Sequence, residues 1–340
     1  MRTVKEADRF GRDDLVYRSA LDAPFRVYGL SHDGERFRRL PRDTARQTSE
    51  AVACLATNTA GGRVRFASDS TYVAIHAETD GVSKMGHFSP LGAAGFDLYA
   101  DDRYAGSFVP PYDQTDGYDA ILSFETAETR QFTINLPLYT NVKALWIGLQ
   151  RGAHLEAPAE YAHTKPIVYY GSSITQGGCA SRPGLSYQSI LARALDTDYV
   201  NLGFSGACRA EPAMVLYLAG LEMSVFVCDY DHNAPDPEYL AATHEPLVQA
   251  VRRAQPELPI LLMSRPKFTL NEEERQRLRI IERTYDHMRA AGDRHVAMLD
   301  GPTLMAPAGN EGTVDDCHPN DLGFFAMANA LAPVLRPLLS

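Results

Sequence analysis

The chain has 340 residues, 45 % hydrophobic and 22 % charged, with a formal charge of −10 at pH 7. That length suits two domains better than one, and the composition is that of a globular protein with a sizeable core. The acidic balance argues against a nucleic acid or an anionic membrane as partner.

The opening residues, MRTVKEADRFGRDD, are charged and lack the apolar core of a leader peptide. No run approaches the roughly eighteen apolar residues of a membrane span, so the expectation is a cytoplasmic protein. From Arg63 to Leu149 apolar residues fall two apart in short runs: Val73-Ala74-Ile75-His76-Ala77, Phe96-Asp97-Leu98-Tyr99, Phe132-Thr133-Ile134-Asn135-Leu136 and Leu145-Trp146-Ile147-Gly148-Leu149. Turn formers such as Asp101-Asp102 and Asp116-Gly117 separate them. Repeated period-two segments predict an antiparallel β-sandwich over residues 1–153, with no convincing helix before residue 150. The polar, Pro-bearing stretch 154–166 reads as a linker.

Beyond it the pattern changes. Ile167–Tyr170, Tyr199–Leu202, Val225–Cys228, Leu258–Met263 and His295–Leu299 read as buried strands. Helical spacing predicts helices over Leu185–Leu195, Glu238–Arg253, Asn271–Ala291 and Asp321–Leu335. Alternating strand and helix over 167–340 predicts a parallel sheet with helices on both faces, whose site lies at the carboxyl ends of the strands. The turns there read Gly171-Ser172-Ser173, Gly203-Phe204-Ser205-Gly206, Asp229-Tyr230-Asp231-His232-Asn233 and, before the last helix, Asp315-Asp316-Cys317-His318-Pro319.

Each turn supplies something acyl transfer needs. Ser173 is the candidate nucleophile and His318 the base that takes its proton. Asp315, three residues before His318, can hold the imidazole by Nδ1. The backbone N–H groups of Ser173 and Gly206 with the Asn233 amide can form an oxyanion hole. Ser172, Asp316 and His232 are the local rivals, with Ser172 and Thr175 also serving as helix caps. His232 and Arg182 are candidate substrate contacts, and Asp97, Tyr99 and Trp146 read as packing residues. The five cysteines, Cys54, Cys179, Cys208, Cys228 and Cys317, form neither a disulfide framework nor a CxxC pattern. Cys179, Cys208 and Cys317 each lie near a candidate block, but buried thiols are mostly inert. No metal and no cofactor are expected.

The order Ser173, Gly206, Asn233, Asp315/His318 resembles the four blocks of the SGNH (GDSL-like) esterases, whose fold is a flavodoxin-like αβα sandwich. Ser172 stands where that family has Asp, and in Asp231-His232-Asn233-Ala234 only Asn233 matches its third block. Gly95-Phe96-Asp97-Leu98-Tyr99 is similar to the G-x-D-L-Y signature of the β-sandwich preceding one bacterial branch of these hydrolases. YYGSSITQGG, NLGFSG and CHPNDLGF are similar to that branch's own blocks. The resemblance runs from about residue 25 to 338 and implies serine esterase chemistry on a small O-acyl ester. The expected substrate is an O-acetylated sugar or oligosaccharide. Acyl transfer to a hydroxylated acceptor, and a non-catalytic carbohydrate-binding protein on a decayed esterase fold, are the alternatives. Self-association is left open.

Overall fold

A computed structural model describes residues 10–81 and 84–339. The first nine residues of the charged opening stretch lie outside the described residues. Two antiparallel sheets make up most of the first half. One has the order Leu15–Ser19, Val142–Gln150, Tyr72–Thr79, Gly117–Ser123. The other runs Leu155–Glu156, Arg63–Ser68, Arg130–Asn135, Phe96–Ala100, Arg103–Phe108, with Arg26–Tyr28 also pairing onto Arg63–Ser68. The alternation read from sequence puts Val73, Ile75, Leu98, Phe132, Ile134 and Ile147 into one core between them.

Two short helices, Arg42–Thr48 and Glu50–Leu55, stand where the sequence reading found none. They are too short to show a periodic stripe; only Ala45 and Val52 within them are buried. Ser49 joins them, its side chain accepting the Val52 N–H at 3.2 Å. Leu40, Ala45, Val52 and Ala56 pack into the core of the second half rather than into the sandwich. A third short helix, Pro90–Ala94, also comes from the first half.

The second half is a five-stranded parallel sheet in the order Thr197–Gly203, His163–Gly171, Val225–Asp229, Ile260–Met263, Val296–Leu299. Numbered along the chain that order is 2-1-3-4-5, the flavodoxin-like arrangement. The first strand starts at His163 and Leu155–Glu156 pairs with the sandwich, so much of the stretch 154–166 is structured. Strand residues alternate between two cores. Ile167 and Tyr169 face helices Tyr187–Leu195 and Asp321–Leu335, while Val168 and Tyr170 face Pro212–Gly220, Pro237–Ala254 and Glu272–Ala290. In register, Gly171 lies between Gly203 and Asp229 at the carboxyl end. The point where the strand order reverses is therefore where Ser172 and Ser173 emerge. Among the described residues no helix is long and apolar enough to cross a membrane.

Candidate active site

Ser173 opens a one-turn helix, Ser173–Gln176, directly after the first parallel strand. Ser172 is its N-cap, its hydroxyl accepting the Ile174 N–H at 3.2 Å. The turn is tight enough that a Cβ on Gly171 would come within 2.1 Å of Thr175 Oγ1 and 2.9 Å of the Asp229 Cβ. Only glycine fits there.

Ser173 Oγ is 2.9 Å from His318 Nε2, and His318 Nδ1 is 2.9 Å from Asp315 Oδ2. This network assigns the imidazole proton to Nδ1, leaving Nε2 as the acceptor. The Oδ1 of Asp315 accepts the backbone N–H groups of His318 (2.7 Å) and Cys317 (3.2 Å), so the carboxylate and ring are held by one turn. Burial works to raise the Asp315 pKa, but the backbone and ring donors of His318 outweigh it and the carboxyl is held below its ordinary value. Pairing of Thr313 with Pro319, and Asn320 capping the last helix through the Gly323 N–H at 3.0 Å, fix the loop on both sides of His318. Asp316 turns away with a φ of 62° and accepts from Lys267 Nζ at 2.7 Å.

Gly206 has a φ of 69°, in the left-handed region, with nothing within 4 Å of the position its Cβ would take. Conformation, not close approach, is what asks for glycine here. Neither Gly206 N–H nor Ser173 N–H has a partner among the described residues. Asn233 Oδ1 accepts the Cys208 N–H at 3.3 Å, which pins the Gly206 loop and leaves the amide NH2 group uncommitted. Gln176 adds a second anchor: its Oε1 accepts the Ser205 N–H at 3.1 Å while its Nε2 donates to Asn58 Oδ1 and Leu138 O.

Of the two expected substrate contacts, His232 stays beside the loop that carries Asp315 and His318, and Arg182 turns elsewhere. His232 Nε2 lies 3.1 Å from Cys317 Sγ, and burial, helped by the Arg265 charge, pushes its pKa down to about 3. So weak a base stays neutral at ordinary pH. Arg182 reaches into the first half: its guanidinium donates to Asp97 Oδ2 at 2.8 Å and Tyr99 Oη at 2.7 Å and lies over the Tyr104 ring at 3.9 Å. A loop position after the candidate nucleophile suggested substrate; the side chain instead joins the two halves.

That pairing gives the Gly95–Tyr99 motif a physical reason. Phe96 and Leu98 enter the sandwich core, and the alternate residues Asp97 and Tyr99 face the loop 182–184. Asp97 is fully buried and also accepts Asn135 Nδ2 (2.7 Å) and the Gly184 N–H (2.8 Å). Sequence reading missed this, as it missed Tyr139, whose hydroxyl donates to the Ser173 carbonyl at 3.2 Å. It missed Phe88 and His87 too, whose rings lie 5.9 and 5.4 Å from the His318 ring. For Asp97 alone a signal was available, a carboxylate set between Phe96 and Leu98 in an apolar strand. Cys179 and Cys317 do converge near His318, each with a ligand atom within 4.8 Å of the ring's, and Cys208 lies in the opposite core. Burial pushes the Cys179 thiol up to about 12, so it is no ready thiolate.

Residues 164–336 match the GDSL-like lipase/acylhydrolase family, and residues 15–155 match the GxDLY domain, the N-terminus of SGNH-hydrolase-type esterases. The chain belongs to the GDSL-like lipase/acylhydrolase family. It is a carboxylic ester hydrolase by that membership. Among solved structures it is similar to a Bacteroides ovatus protein described as a GDSL-like lipase, at 27 % identity over 96 % of this chain and 98 % of that one, TM-score 0.85. A salicylyl-acyltransferase from a tetracycline biosynthetic pathway shares 22 % identity over 96 % and 98 % of the two chains, TM-score 0.79. A family two carbohydrate esterase from Clostridium thermocellum, solved with cellohexaose, shares 16 % over 82 % and 93 %, TM-score 0.64. At those two lower identities the likeness is one of fold. No curated protein matches the sequence.

Proposed function

We propose that this acylhydrolase works through Ser173, His318 and Asp315, with Ser173 N–H, Gly206 N–H and the Asn233 amide as oxyanion donors. The observation that carries the reading is the unbroken relay from Ser173 Oγ through the imidazole to Asp315, with both links at 2.9 Å. Ser173 Oγ attacks the ester carbonyl as its proton passes to His318 Nε2. Asp315 stabilises the imidazolium, and the oxyanion is held by donors worth about 2.7–4 kcal/mol each in related sites. His318 then returns the proton to the departing alcohol oxygen. Water, deprotonated by the same ring, attacks the acyl-serine and frees the acid.

For substrate, the reading is a small O-acyl ester, O-acetyl above all, carried by a sugar or oligosaccharide. The carbohydrate esterases that share its fold support this by analogy. Hydrolysis is preferred to acyl transfer because the family model that matches residues 164–336 is one of lipases and acylhydrolases. The test is hydrolysis of acetate, butyrate and octanoate p-nitrophenyl esters and of acetylated sugars by wild type and Ser173→Ala, with organophosphonate labelling. Short esters are expected to turn over, with a loss on the order of 10⁴-fold or more in the variant. Equal rates, or label on another residue, would overturn the assignment. Added alcohols that intercept the acyl group faster than water would establish transfer, and absence of labelling would favour a decayed, non-catalytic site. Activity confined to octanoate would remove the short-acyl substrate class.

A further inference from the structure

Two imidazoles and a thiol meet beside the proposed relay. His87, Cys179 and His318 each present a ligand atom, and the three atoms all lie within 4.8 Å of one another. His87 comes from the first half and is exposed, while Cys179 is buried just beyond the one-turn helix Ser173–Gln176. The two imidazole rings stand 5.4 Å apart. The Phe88 ring lies edge-on to both, 4.6 Å from His87 and 5.9 Å from His318, and makes one side of the group apolar.

Among the described residues the His87 ring nitrogens and the Cys179 thiol have no hydrogen-bond partner. A second close-set group, Asp315, Cys317 and His318, is already committed. Asp315 Oδ1 takes two backbone N–H groups, its Oδ2 takes the His318 ring, and Cys317 Sγ stands 3.1 Å from His232 Nε2. Cys179 also holds a φ of 72°, a conformation that side chains rarely adopt and that gathers at functional sites. One thiolate and two imidazoles suit a borderline-soft divalent cation, zinc above all; magnesium and calcium take oxygen. Around tetrahedral zinc such ligand atoms stand about 3.3–3.6 Å apart. The group therefore has to tighten by no more than about 1.5 Å, a move within reach of the exposed His87 ring.

We propose that His87, Cys179 and His318 form a reversible, inhibitory zinc site. On binding, the Cys179 proton leaves to solvent, because a coordinating thiol is deprotonated even where burial keeps the free thiol neutral. Water takes the fourth position. Both ring nitrogens of His318 are in use, Nε2 toward Ser173 Oγ and Nδ1 toward Asp315, so a metal on either breaks one link of the relay. Zinc here occupies the base and takes no part in the reaction. The loss of activity rests on the serine-esterase reading; the metal site itself does not.

The first test titrates chelator-treated protein with zinc while p-nitrophenyl acetate hydrolysis is followed. Zinc is expected to abolish the rate, chelator to restore it, and magnesium or calcium to leave it unchanged. His87→Ala and Cys179→Ala are expected to stay active and to raise the half-inhibiting zinc concentration by on the order of 10–100-fold, the cost of losing even an outer-shell partner. Zinc that fails to inhibit, or that inhibits both variants at the wild-type concentration, would overturn the proposal. A second readout needs no substrate: cobalt(II) added to the Ser173→Ala protein. A thiolate-to-cobalt charge-transfer band is expected, retained on adding Cys317→Ala and lost on adding Cys179→Ala. No band, or one that survives Cys179→Ala, would equally overturn it. If hydrolysis depends on Ser173 but the band is absent, the metal site alone fails. If the band behaves as expected and Ser173→Ala hydrolyses as fast as wild type, the esterase reading alone fails.

Discussion

Removing Arg182 separates a joint between the two halves from a substrate contact. In Arg182→Ala the fully buried Asp97 keeps two neutral donors, Asn135 Nδ2 and the Gly184 N–H, and loses its counter-ion. Breaking a buried pair costs about 3–5 kcal/mol, chiefly the penalty on the stranded charge. The Arg182 side chain is 15 % exposed, so water can reach the gap and the lower end applies, about 3 kcal/mol. Lost stacking over Tyr104 adds up to about 1 kcal/mol. With about 2.1 cal/mol/K of unfolding entropy per residue over 340 residues, the melting temperature falls by about 4–6 °C.

If the stranded charge is the cause, the same truncation made in an Asp97→Asn background costs only about 1 kcal/mol, a coupling of roughly 2 kcal/mol or more. Denaturant melts of wild type, the two single variants and the double variant measure it, with KM for a short ester followed in parallel. Additive losses would refute the charge argument. An unchanged melting temperature with KM raised tenfold or more would return Arg182 to the substrate.

Asp315→Asn is expected to lower kcat by about 10³–10⁴-fold, whereas Asp316→Asn, which loses only its Lys267 partner, stays within a few-fold of wild type; equal losses would reverse the assignment. Gly206→Ala meets no clash but must hold a left-handed φ, costing about 1–2 kcal/mol. If its N–H serves the oxyanion, kcat falls at least about tenfold, and an unchanged kcat removes it from the hole. Burial pushes the Asp229 carboxyl up to about 8, against the opposing donor Thr175 and with help from Asp231. That stability contribution is full below the unfolded pKa near 4 and is lost as pH rises through about 8, because the folded chain holds a proton the unfolded chain releases. The slope is at most about 1.4 kcal/mol per pH unit. Asp229→Asn is expected to flatten stability between pH 5 and 8, and identical slopes would mean the carboxylate is ionised when folded.

Much of this was legible because it depends on periodicity and on turn chemistry. The helix Asp321–Leu335 occupies the range its spacing predicts, and the five parallel strands fall within a few residues of their expected bounds. Apolar period fixes which face is buried, and that face decides the element. What escaped was short or long-range. The helices of 42–55 bury too few side chains to print a pattern, and their stability comes from a core whose other residues begin beyond residue 165. Arg182 looked like a loop arginine because its partner lies 85 residues upstream. Phe88 beside His318 had no local signature either, since nothing near residue 88 in the sequence reports a contact made 230 positions away.

These long-range contacts converge on the same place, and that says what the first half does for the second. Tyr139 holds the Ser173 carbonyl, Asn58 and Leu138 hold the Gln176 amide that positions Ser205, and Arg39 reaches the Gly203 carbonyl at the end of the neighbouring strand. Asp97 and Tyr99 secure the loop that follows the nucleophile turn. Three connections from residues before 150 thus meet the two turns that carry Ser173 and Gly206, and a fourth meets the loop 182–184 that follows the first of them. A turn of one helical round has little stability of its own, since nucleating a helix is unfavourable and its first N–H groups are unpaired. Its geometry is therefore set by what is packed around it. In this chain the sandwich half is part of the scaffold that holds the turns of Ser173 and Gly206, the proposed nucleophile and oxyanion donor, in place.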